Sequence, residues 1–569
     1  MRTPPLHTPP KAVLASGHVV DTPDRPTPRF PPDQVPRVTA EVRDVLGVWD
    51  VGPSTTVVTG GARGADLIVA EEGLARGARV LICLALPQDE FERRSVELPG
   101  SDWVSRFRKV LKVADVRLLS DEIGAVPDDD EVFAVTNQWM VEVARSLDAT
   151  PHAVIVWDGK EGSGPGGTRD LVRRLEVQGP EQRIRVIDPT PRAYEGRQAV
   201  DRPKRLLALD GGGLRGALSL EILAAVEAGL RDRYGRPDLV LADYFDYVAG
   251  TSTGAIIAAA LALGNQVDEV RRRYESLGRK VFAKRFLPLR LQALYKDAPL
   301  RRELDDFFGV GRSLGDPELR TLLLVVMHNT VTDSPWPLSN CTLGKYNRAD
   351  RFLVSPSDRN LDIPLAPLVR ASTAAPIYFA PQTLQIGSHE FLFEDGGVTP
   401  FNNPALLLVL MATLPEYGLQ WPAGEDQLLV VSVGTGSAAA VHPGLRRGKV
   451  TLAFNARNLP AVFMNGAAVS QDLLCRSLGR CRAGRPIDRE FGARLDAPGL
   501  SGDNLFTYVR YDADLSDEAL QAFGIRDTKR RKRLRKLDAV DQMPLLQDIG
   551  RHAAAGVDLD RHFTGFLDG

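Results

Sequence analysis

Short apolar runs alternate with amphipathic helical stretches through the first third of the chain. Helical periodicity is present at residues 65–75 and 130–147. The apolar runs around these stretches are rich in Val, Ile and Leu, and lie at residues 55–58, 78–86 and 153–157. Strand, helix and strand in succession are typical of a parallel sheet covered on both faces. We therefore predict an N-terminal α/β domain.

A second alternating series begins at Arg205 and continues to about residue 440. At 569 residues the chain is too long for a single hydrophobic core, so two α/β domains are expected. The proline-rich start predicts a disordered leader, and the last part has a mostly helical pattern that predicts an extension packed on the second domain. The predicted divisions are a leader at 1–40, a first domain at 41–190, a linker at 191–203, a second domain at 204–440 and a helical extension at 441–569.

Composition narrows the class of protein. The chain is 43% hydrophobic and 25% charged, as in ordinary globular proteins, and its net charge of −2 provides no general attraction to nucleic acid. The four cysteines form no C-x-x-C pair, so neither a disulfide scaffold nor a zinc site is expected. The longest apolar run, residues 255–263, is too short to cross a bilayer. We expect a cytoplasmic protein that contacts the inner face of the membrane peripherally when active.

A glycine-rich segment, Asp210–Gly216, follows a predicted strand and precedes a predicted helix at 217–230. Backbone N–H groups at such a position bind anions, and in acyl transfer the anion is the oxyanion of the tetrahedral intermediate. A phosphate loop is the alternative. However, the spacing matches neither G-x-x-x-x-G-K-[ST] nor G-x-G-x-x-G.

A candidate nucleophile lies in Gly250–Gly254, which reads G-T-S-T-G between a predicted strand and a predicted helix. In a nucleophile elbow of this kind, the glycines permit a tight turn that holds the hydroxyl of Ser252 over the site. The five residues alone are a weak signal, and the strand–turn–helix context strengthens it.

A serine hydroxyl needs a base, and the sequence offers several candidates. Asp395 lies in the segment E-D-G-G directly after an apolar run. In an ordinary triad the base is a histidine held by a carboxylate. His389 occupies a polar turn near Asp395, and His442 follows Asp395 in the chain order of an α/β-hydrolase triad. An aspartate base and a histidine base therefore both stay open on the residues alone.

Together these segments resemble the patatin-like phospholipase family. Three more stretches agree with it, namely Ala371–Phe379, Asn402–Pro404 and Val431–Gly436. The resemblance covers residues 204–440 and implies a three-layer α/β/α hydrolase that needs neither cofactor nor metal. It implies a phospholipase A-type cleavage of membrane phospholipids by a Ser252–Asp395 dyad. It further implies an oxyanion hole formed by Gly211, Gly212 and Gly213, with Arg215 supporting that loop.

Two glycine loops in the first domain follow predicted strands and precede predicted helices, a position that suits anion binding. Their motifs, TGGARGAD and PGGT, resemble those of the SLOG superfamily of Rossmann-like domains, which bind nucleotides or nucleotide-derived molecules. The resemblance implies a ligand site formed by Gly60, Gly61, Arg63, Gly64, Asp66, Gly166, Gly167 and Thr168. The alternative is a glycine-turned α/β domain without a ligand.

The leading hypothesis is a lipid acyl hydrolase gated by a nucleotide-derived ligand, a logic that resembles anti-phage effectors. One competing hypothesis is a nucleotide-binding or nucleotide-processing protein with a secondary esterase activity. Another is a conventional Ser–His–Asp esterase for small esters. Basic residues at 279–291 and 529–536 indicate either membrane contact or ordinary packed and solvated faces. Self-association of the chain is compatible with every hypothesis.

Overall fold

The computed structural model describes residues 9–26, 28–124, 131–158, 168, 171, 174, 183–281, 294–347, 360–386, 389–437, 452–500 and 502–567, with the backbone alone over 452–461. The described residues divide into two compact units, the first ending at Pro191 and the second beginning at Arg192. Each unit has its own hydrophobic core. The expected two-domain α/β fold is confirmed.

The first unit is built on a six-stranded parallel sheet with the order β4-β3-β2-β1-β5-β6. Its strands are β1 (Ala12–Gly17), β2 (Thr56–Thr59), β3 (Arg79–Leu84), β4 (Asp115–Leu118), β5 (His152–Val156) and β6 (Ile184–Ile187). Its helices are α1 (Val35–Val48), α2 (Ala65–Ala75), α3 (Gln88–Phe91), α4 (Trp103–Leu111), α5 (Leu119–Ile123) and α6 (Glu131–Leu147). This is the Rossmann-like parallel sheet that the apolar pattern predicts.

The prediction of a disordered leader over residues 1–40 is wrong from Ala12 onward. Strand β1 lies in the middle of the sheet between β2 and β5, and Val13 and Leu14 are fully buried. Helix α1 already begins at Val35. The prolines on both sides dominate the local composition, but a short apolar segment that pairs on two edges is stabilised by burial rather than by composition.

The second unit is built on a nine-stranded mixed sheet with the order β11-β12-β9-β8-β7-β13-β15-β14, and β10 pairs with β9. Its strands are β7 (Lys204–Leu209), β8 (Tyr247–Thr251), β9 (Leu322–Asn329), β10 (Ser334–Ser339), β11 (Gln382–Ile386), β12 (His389–Asp395), β13 (Leu428–Val433), β14 (Arg480–Ala483) and β15 (Thr507–Tyr511). Strands β7, β8 and β13 are buried at every position, because helices cover both faces of the centre of the sheet.

Helices alternate with the strands of the second unit and continue into its C-terminal part. They are α7 (Ala193–Gly196), α8 (Gly216–Tyr234), α9 (Leu241–Tyr244), α10 (Thr253–Ala262), α11 (Val267–Val281), α12 (Asp297–Phe308), α13 (Leu365–Ser372), α14 (Ala405–Thr413), α15 (Leu452–Leu478), α16 (Asp517–Ala522), α17 (Thr528–Leu534), α18 (Met543–Ala554) and α19 (Leu559–His562). None of the helices in the described part of the chain is long and apolar enough to span a membrane.

The C-terminal part is helical as expected, but it also contributes two strands that the helical pattern does not predict. Strand β15 pairs in parallel with β13 and with β14. Short strands such as β14, with four residues, provide too few positions for a period-two pattern to stand out. The sheet of the second unit is therefore completed by residues beyond 440.

The predicted linker at 191–203 is wrong for most of its length. Residues from Arg192 onward belong to the second unit, and Tyr194 in α7 is fully buried there. The Tyr194 hydroxyl donates to the carbonyl of Gly315 at 3.1 Å. The prolines of this segment suggest an open linker, but one large aromatic side chain is enough to anchor it in the core.

Strand β9 brings two distant parts of the chain together. Thr251 at the end of β8 pairs with Val326, and Asp395 at the end of β12 pairs with Met327. Because β10 occupies the other edge of β9 over Leu324–Asn329, β8 and β12 share one edge and meet end to end. The residue that follows β8 therefore lies beside the last residue of β12.

Candidate active site

Ser252 occupies a strained turn between β8 and α10. Its φ of +55° lies in the left-handed region that residues other than glycine rarely adopt. A Cβ on Gly250 would lie 2.2 Å from the carbonyl oxygen of Gly254, and a Cβ on Gly254 would lie 2.2 Å from that of Leu209. The two glycines are therefore required by backbone packing, which fixes the serine at the tip of the turn.

The Ser252 hydroxyl donates to Asp395 Oδ2 at 2.6 Å. The other carboxylate oxygen, Oδ1, accepts the backbone N–H of Gly397 at 2.7 Å. Ser252 is 6% and Asp395 is 2% exposed. Burial raises the pKa of Asp395 to about 6, although the bonds from Ser252 and Gly397 oppose the shift. The carboxylate is thus ionised at neutral pH and lies in hydrogen-bond reach of the hydroxyl proton.

The Ser372 side chain bridges the turn at Ser252 to strand β9, a contact that the sequence does not predict. Its hydroxyl accepts the backbone N–H of Ser252 at 2.9 Å and donates to the carbonyl of Val326 at 2.6 Å. Ser372 lies in the stretch Ala371–Phe379 that carries the family resemblance. A side chain that bridges the elbow to β9 depends on tertiary packing, so the residue pattern gives no signal for it.

The glycine loop differs in one detail from the expected oxyanion hole. The N–H of Gly211 donates to the carbonyl of Asn402 at 3.1 Å, and the Gly211 carbonyl accepts from Thr435. This amide is already paired, so the expectation for Gly211 requires correction. Among the described residues, the amides of Gly212 and Gly213 have no such acceptor. They are the two amides of the loop that stay available for a ligand.

Contacts from distant segments fix the remainder of the loop. The Leu214 N–H donates to the carbonyl of Leu537 at 2.8 Å, and the Tyr274 hydroxyl donates to that of Gly213 at 2.6 Å. The Arg215 side chain donates to the carbonyls of Gly212 at 3.3 Å and of Gly436 at 2.8 Å. Arg215 thus contacts backbone rather than pointing a free charge at the site.

A buried ion pair lies under the start of the loop. Arg510 in β15 donates through both terminal nitrogens to Asp210, at 2.9 and 2.7 Å, and also to Ser432. Burial raises the pKa of Asp210 to about 6 against the attraction of Arg510. Burial alone would lower the pKa of Arg510, but Asp210 and Asp512 raise it. The pair connects β7, where the glycine loop begins, to a strand 300 residues further on.

An apolar pocket of about 50 Å³ opens beside Ser252 and Asp395, a space of a few water molecules. Its walls come from the glycine loop, from helices α10 to α12, and from the C-terminal part. Its apolar lining includes Leu214, Ile256, Leu277, Leu300, Phe379, Met464 and Leu537. The sequence predicts neither Met464 nor Leu537 as a site residue, since both lie far from the glycine and serine motifs.

Of the two alternative histidine bases, His389 lies in the described residues and does not reach the serine. His389 begins β12 and Asp395 ends it, so about 20 Å of extended strand separates them. His442 lies outside the described residues. Within the described part of the chain, the Ser252 hydroxyl has Asp395 as its hydrogen-bond partner.

In the first unit, the predicted ligand residue Asp66 points into its own glycine loop. Its Oδ2 accepts the N–H of Ala62 at 3.1 Å, and the nearby amides of Gly60 and Gly61 also favour the ionised carboxylate. Burial raises the pKa of Asp66 to about 7. An internal carboxylate therefore already occupies the N–H groups for which an external anion was expected.

Arg63 and Gly64 are also engaged in the fold. Arg63 is 9% exposed and donates to the carbonyls of Val20 at 3.0 Å and Glu97 at 3.2 Å. Gly64 has a φ of +97°, and a Cβ there would lie 2.7 Å from the carbonyl of His18. Both residues hold the loop against the segment that follows β1.

The second predicted loop is described in part. Gly166 and Gly167 lie outside the described residues, whereas the Thr168 hydroxyl lies 3.4 Å from His18 Nδ1. His18 and Arg29 both contact Asp158, at the carboxyl ends of the adjacent strands β1 and β5. The sequence does not predict His18 and Arg29 as candidate ligand residues, because both lie in the segment that was expected to be a disordered leader.

Three arginines of the basic run at 529–536 form internal ion pairs. Arg531 and Arg535 both donate to Asp517, and Arg533 donates to Asp538. Such contacts favour the packed interpretation for these arginines. Most of the other basic stretch, 279–291, lies outside the described residues.

Comparison with known proteins agrees with this geometry. Residues 207–409 match the family described as patatin-like phospholipase. A cGAMP-activated phospholipase from Escherichia coli (strain TW11681) is 28% identical over 258 residues, covering 43% of this chain and 67% of the relative. Patatin-like protein 1 from Arabidopsis thaliana is 32% identical, covering 41% of this chain and 58% of the relative. A cGAMP-activated phospholipase from Vibrio cholerae is 28% identical, covering 46% and 72%.

The second unit is therefore a lipid acyl hydrolase. Residues 207–409 match the patatin-like phospholipase family, in agreement with the resemblance that the sequence motifs carry. The Rossmann-like sheet of the first unit fits the resemblance to SLOG domains, and its ligand remains a prediction.

Replacing Arg510 by Met should destabilise the second unit and its glycine loop. The change leaves Asp210 buried without its partner, which costs about 3–5 kcal/mol of unfolding free energy. Urea unfolding of the full chain measures the loss, and kcat for a soluble ester should fall while KM stays unchanged. The double variant Asp210→Asn/Arg510→Met should recover part of the stability, because residue 210 no longer carries a buried charge, and only the more exposed Asp512 still loses its contact with Arg510. A single variant within about 0.5 kcal/mol of the wild type would contradict the assignment.

Proposed function

We propose that the protein is a phospholipase A-type hydrolase that cleaves acyl esters of membrane phospholipids with Ser252 as nucleophile and Asp395 as base. The observation that carries the proposal is the 2.6 Å contact between the serine hydroxyl and a buried carboxylate beside an apolar pocket. A nucleophile within hydrogen-bond reach of its base is the geometry that acyl transfer needs. The apolar lining suits an acyl chain better than a small polar ester.

In the proposed reaction, Ser252 Oγ attacks the acyl carbonyl carbon while its proton moves to Asp395 Oδ2. The amides of Gly212 and Gly213 donate to the oxyanion of the tetrahedral intermediate. Collapse of the intermediate expels the alcohol, which takes the proton back from Asp395, and leaves the acyl group on Ser252. Water then attacks the acyl-enzyme with Asp395 as base, which releases the fatty acid and restores the hydroxyl.

Ser252→Ala and Asp395→Asn should each lower fatty-acid release from phospholipid vesicles by about 10⁴-fold. The matched controls change the same residue types away from the site, Asp333→Asn in the turn between β9 and β10 and Ser334→Ala at the start of β10, and should keep wild-type rates. Release that survives both site substitutions would exclude the proposed dyad. Loss of activity in a His389 or His442 variant would instead favour the Ser–His–Asp alternative.

The pH dependence of kcat/KM should report the buried carboxylate. Because Asp395 acts as base when ionised, activity is present above its pKa of about 6 and declines as the pH falls through that value. A water-miscible cosolvent that lowers the dielectric constant should move this limb to higher pH, since it disfavours the ionised carboxylate. If the cosolvent instead moves the decline in kcat/KM to lower pH, the base is an imidazole, whose charged form is the protonated one.

A nucleotide-derived ligand bound to the first unit is proposed to gate hydrolysis by the second, as in an anti-phage effector. Two observations support gating: relatives described as cGAMP-activated phospholipases, and a parallel sheet whose order reverses between β1 and β5, where such sheets bind ligands. The engaged state of Gly60, Gly61, Arg63 and Asp66 favours a site closer to His18 and Thr168 than to those residues.

Adding cGAMP or other nucleotides to the full chain should increase fatty-acid release from vesicles by about tenfold or more, as a population shift of more than 1.4 kcal/mol requires. Isothermal titration with the Ser252→Ala protein measures binding without turnover. Full activity without any nucleotide, together with no detectable binding, would contradict gating. Turnover of the nucleotide itself would support the competing nucleotide-processing function.

A further inference from the structure

Helix α15 carries an exposed face that contains no charged residue. Phe463 is 63% and Val462 is 52% exposed, and Val469 and Leu474 are 39% and 40% exposed. At 100° per residue, these four positions and the exposed Gly466 and Ser470 fall within about 140° of the helix circumference and extend over about 18 Å. Large apolar side chains grouped in this way mark an interaction surface rather than ordinary solvent-facing helix.

The opposite side of the same helix faces the candidate active site. Met464 lines the pocket together with Ser252 and packs against Gly397, two residues beyond Asp395. Gln471 and Cys475, which share the side of Met464 at helical spacing, are buried. Phe463 is adjacent in the chain to Met464, so the apolar face and the pocket wall are formed by opposite sides of the same helix turn.

We propose that the exposed face of α15, from Val462 to Leu474, docks the protein on the surface of a phospholipid bilayer. This inference rests on the proposed function, because the substrate of a phospholipase resides in the bilayer. A helix with an uncharged apolar face lies in the interface with its apolar side chains a few ångströms below the head groups.

The chemistry of this face also predicts which lipids it needs. Among its exposed positions none carries a charge, so docking should not require anionic head groups. The basic run at 529–536 would instead bind anionic lipid in a salt-dependent manner. Phosphatidylcholine vesicles, which have no net charge, therefore separate the two surfaces.

Phe463→Asp should lower binding to phosphatidylcholine vesicles by about tenfold or more, since it removes a large apolar side chain and adds a charge at the interface. Val331→Asp is the matched control, because Val331 is 65% exposed in the turn between β9 and β10. Cosedimentation is measured in the Ser252→Ala background, so that the lipid stays intact. In the active background, Phe463→Asp should lower vesicle hydrolysis and keep wild-type turnover of a soluble short-chain ester.

Retained ester turnover shows that the variant is folded, and Val469→Asp provides a second test of the same face. Unchanged vesicle binding in both variants would overturn the proposal, as would an equal loss in Val331→Asp. Binding that appears only with anionic lipid and vanishes in salt would assign docking to the basic run instead. If light scattering shows that Phe463→Asp dissociates an oligomer while vesicle binding persists, the face joins two copies of the chain. A wild type that binds vesicles but releases no fatty acid would refute the proposed function and leave docking supported.

Discussion

The candidate site depends on holding one carboxylate out of water next to one serine. A buried, ionised Asp395 is unfavourable by itself, and its bonds with Ser252 and Gly397 compensate for part of the lost hydration. Ser252 is in turn held at a φ of +55°, a conformation that persists when its surroundings leave no alternative. The end-to-end arrangement of β8 and β12 on one edge of β9 supplies that rigidity. The fold therefore places both groups before any substrate arrives.

The same constraint extends beyond the segment that defines the family. The glycine loop is held by Leu537, and the residue that begins it, Asp210, is neutralised by Arg510. Both partners lie outside residues 207–409. A chain cut after the matched segment would leave the buried Asp210 unpaired and would lack β13 and β15, so β7 would lose its neighbour β13. The C-terminal part is thus a structural component of the hydrolase unit rather than an appendage.

Sequence patterns were informative where the cause of a structure is local. The elbow around Ser252 and the turn after Asp395 are encoded by glycines within a few residues, so the motifs located both groups, and the family resemblance was needed to choose Asp395 over a histidine as the base. The sequence predicts that the amide of Gly211 belongs to the oxyanion hole. In the structure this amide donates to Asn402, a residue too far away in the chain for a local motif to indicate. Strand β1 was hidden by flanking prolines, since composition averages over residues whereas pairing on two edges depends on the whole sheet. Arg510 could not be paired with Asp210 without knowing that β15 lies next to β13.

Helix α15 contributes both to the pocket beside Ser252 and to the exposed apolar face that we propose contacts lipid. An acyl chain that leaves a bilayer through water loses about 0.8 kcal/mol for each methylene group, so the entrance to the site is best kept apolar. Met464 on the inner side of α15 lines the pocket, and Phe463 on the outer side is exposed. The neighbouring turn holds Asp395, whose burial is needed for its raised pKa. One helix that contacts this turn can therefore exclude water from the carboxylate and present an apolar surface to lipid, which explains why the site includes residues so far along the chain.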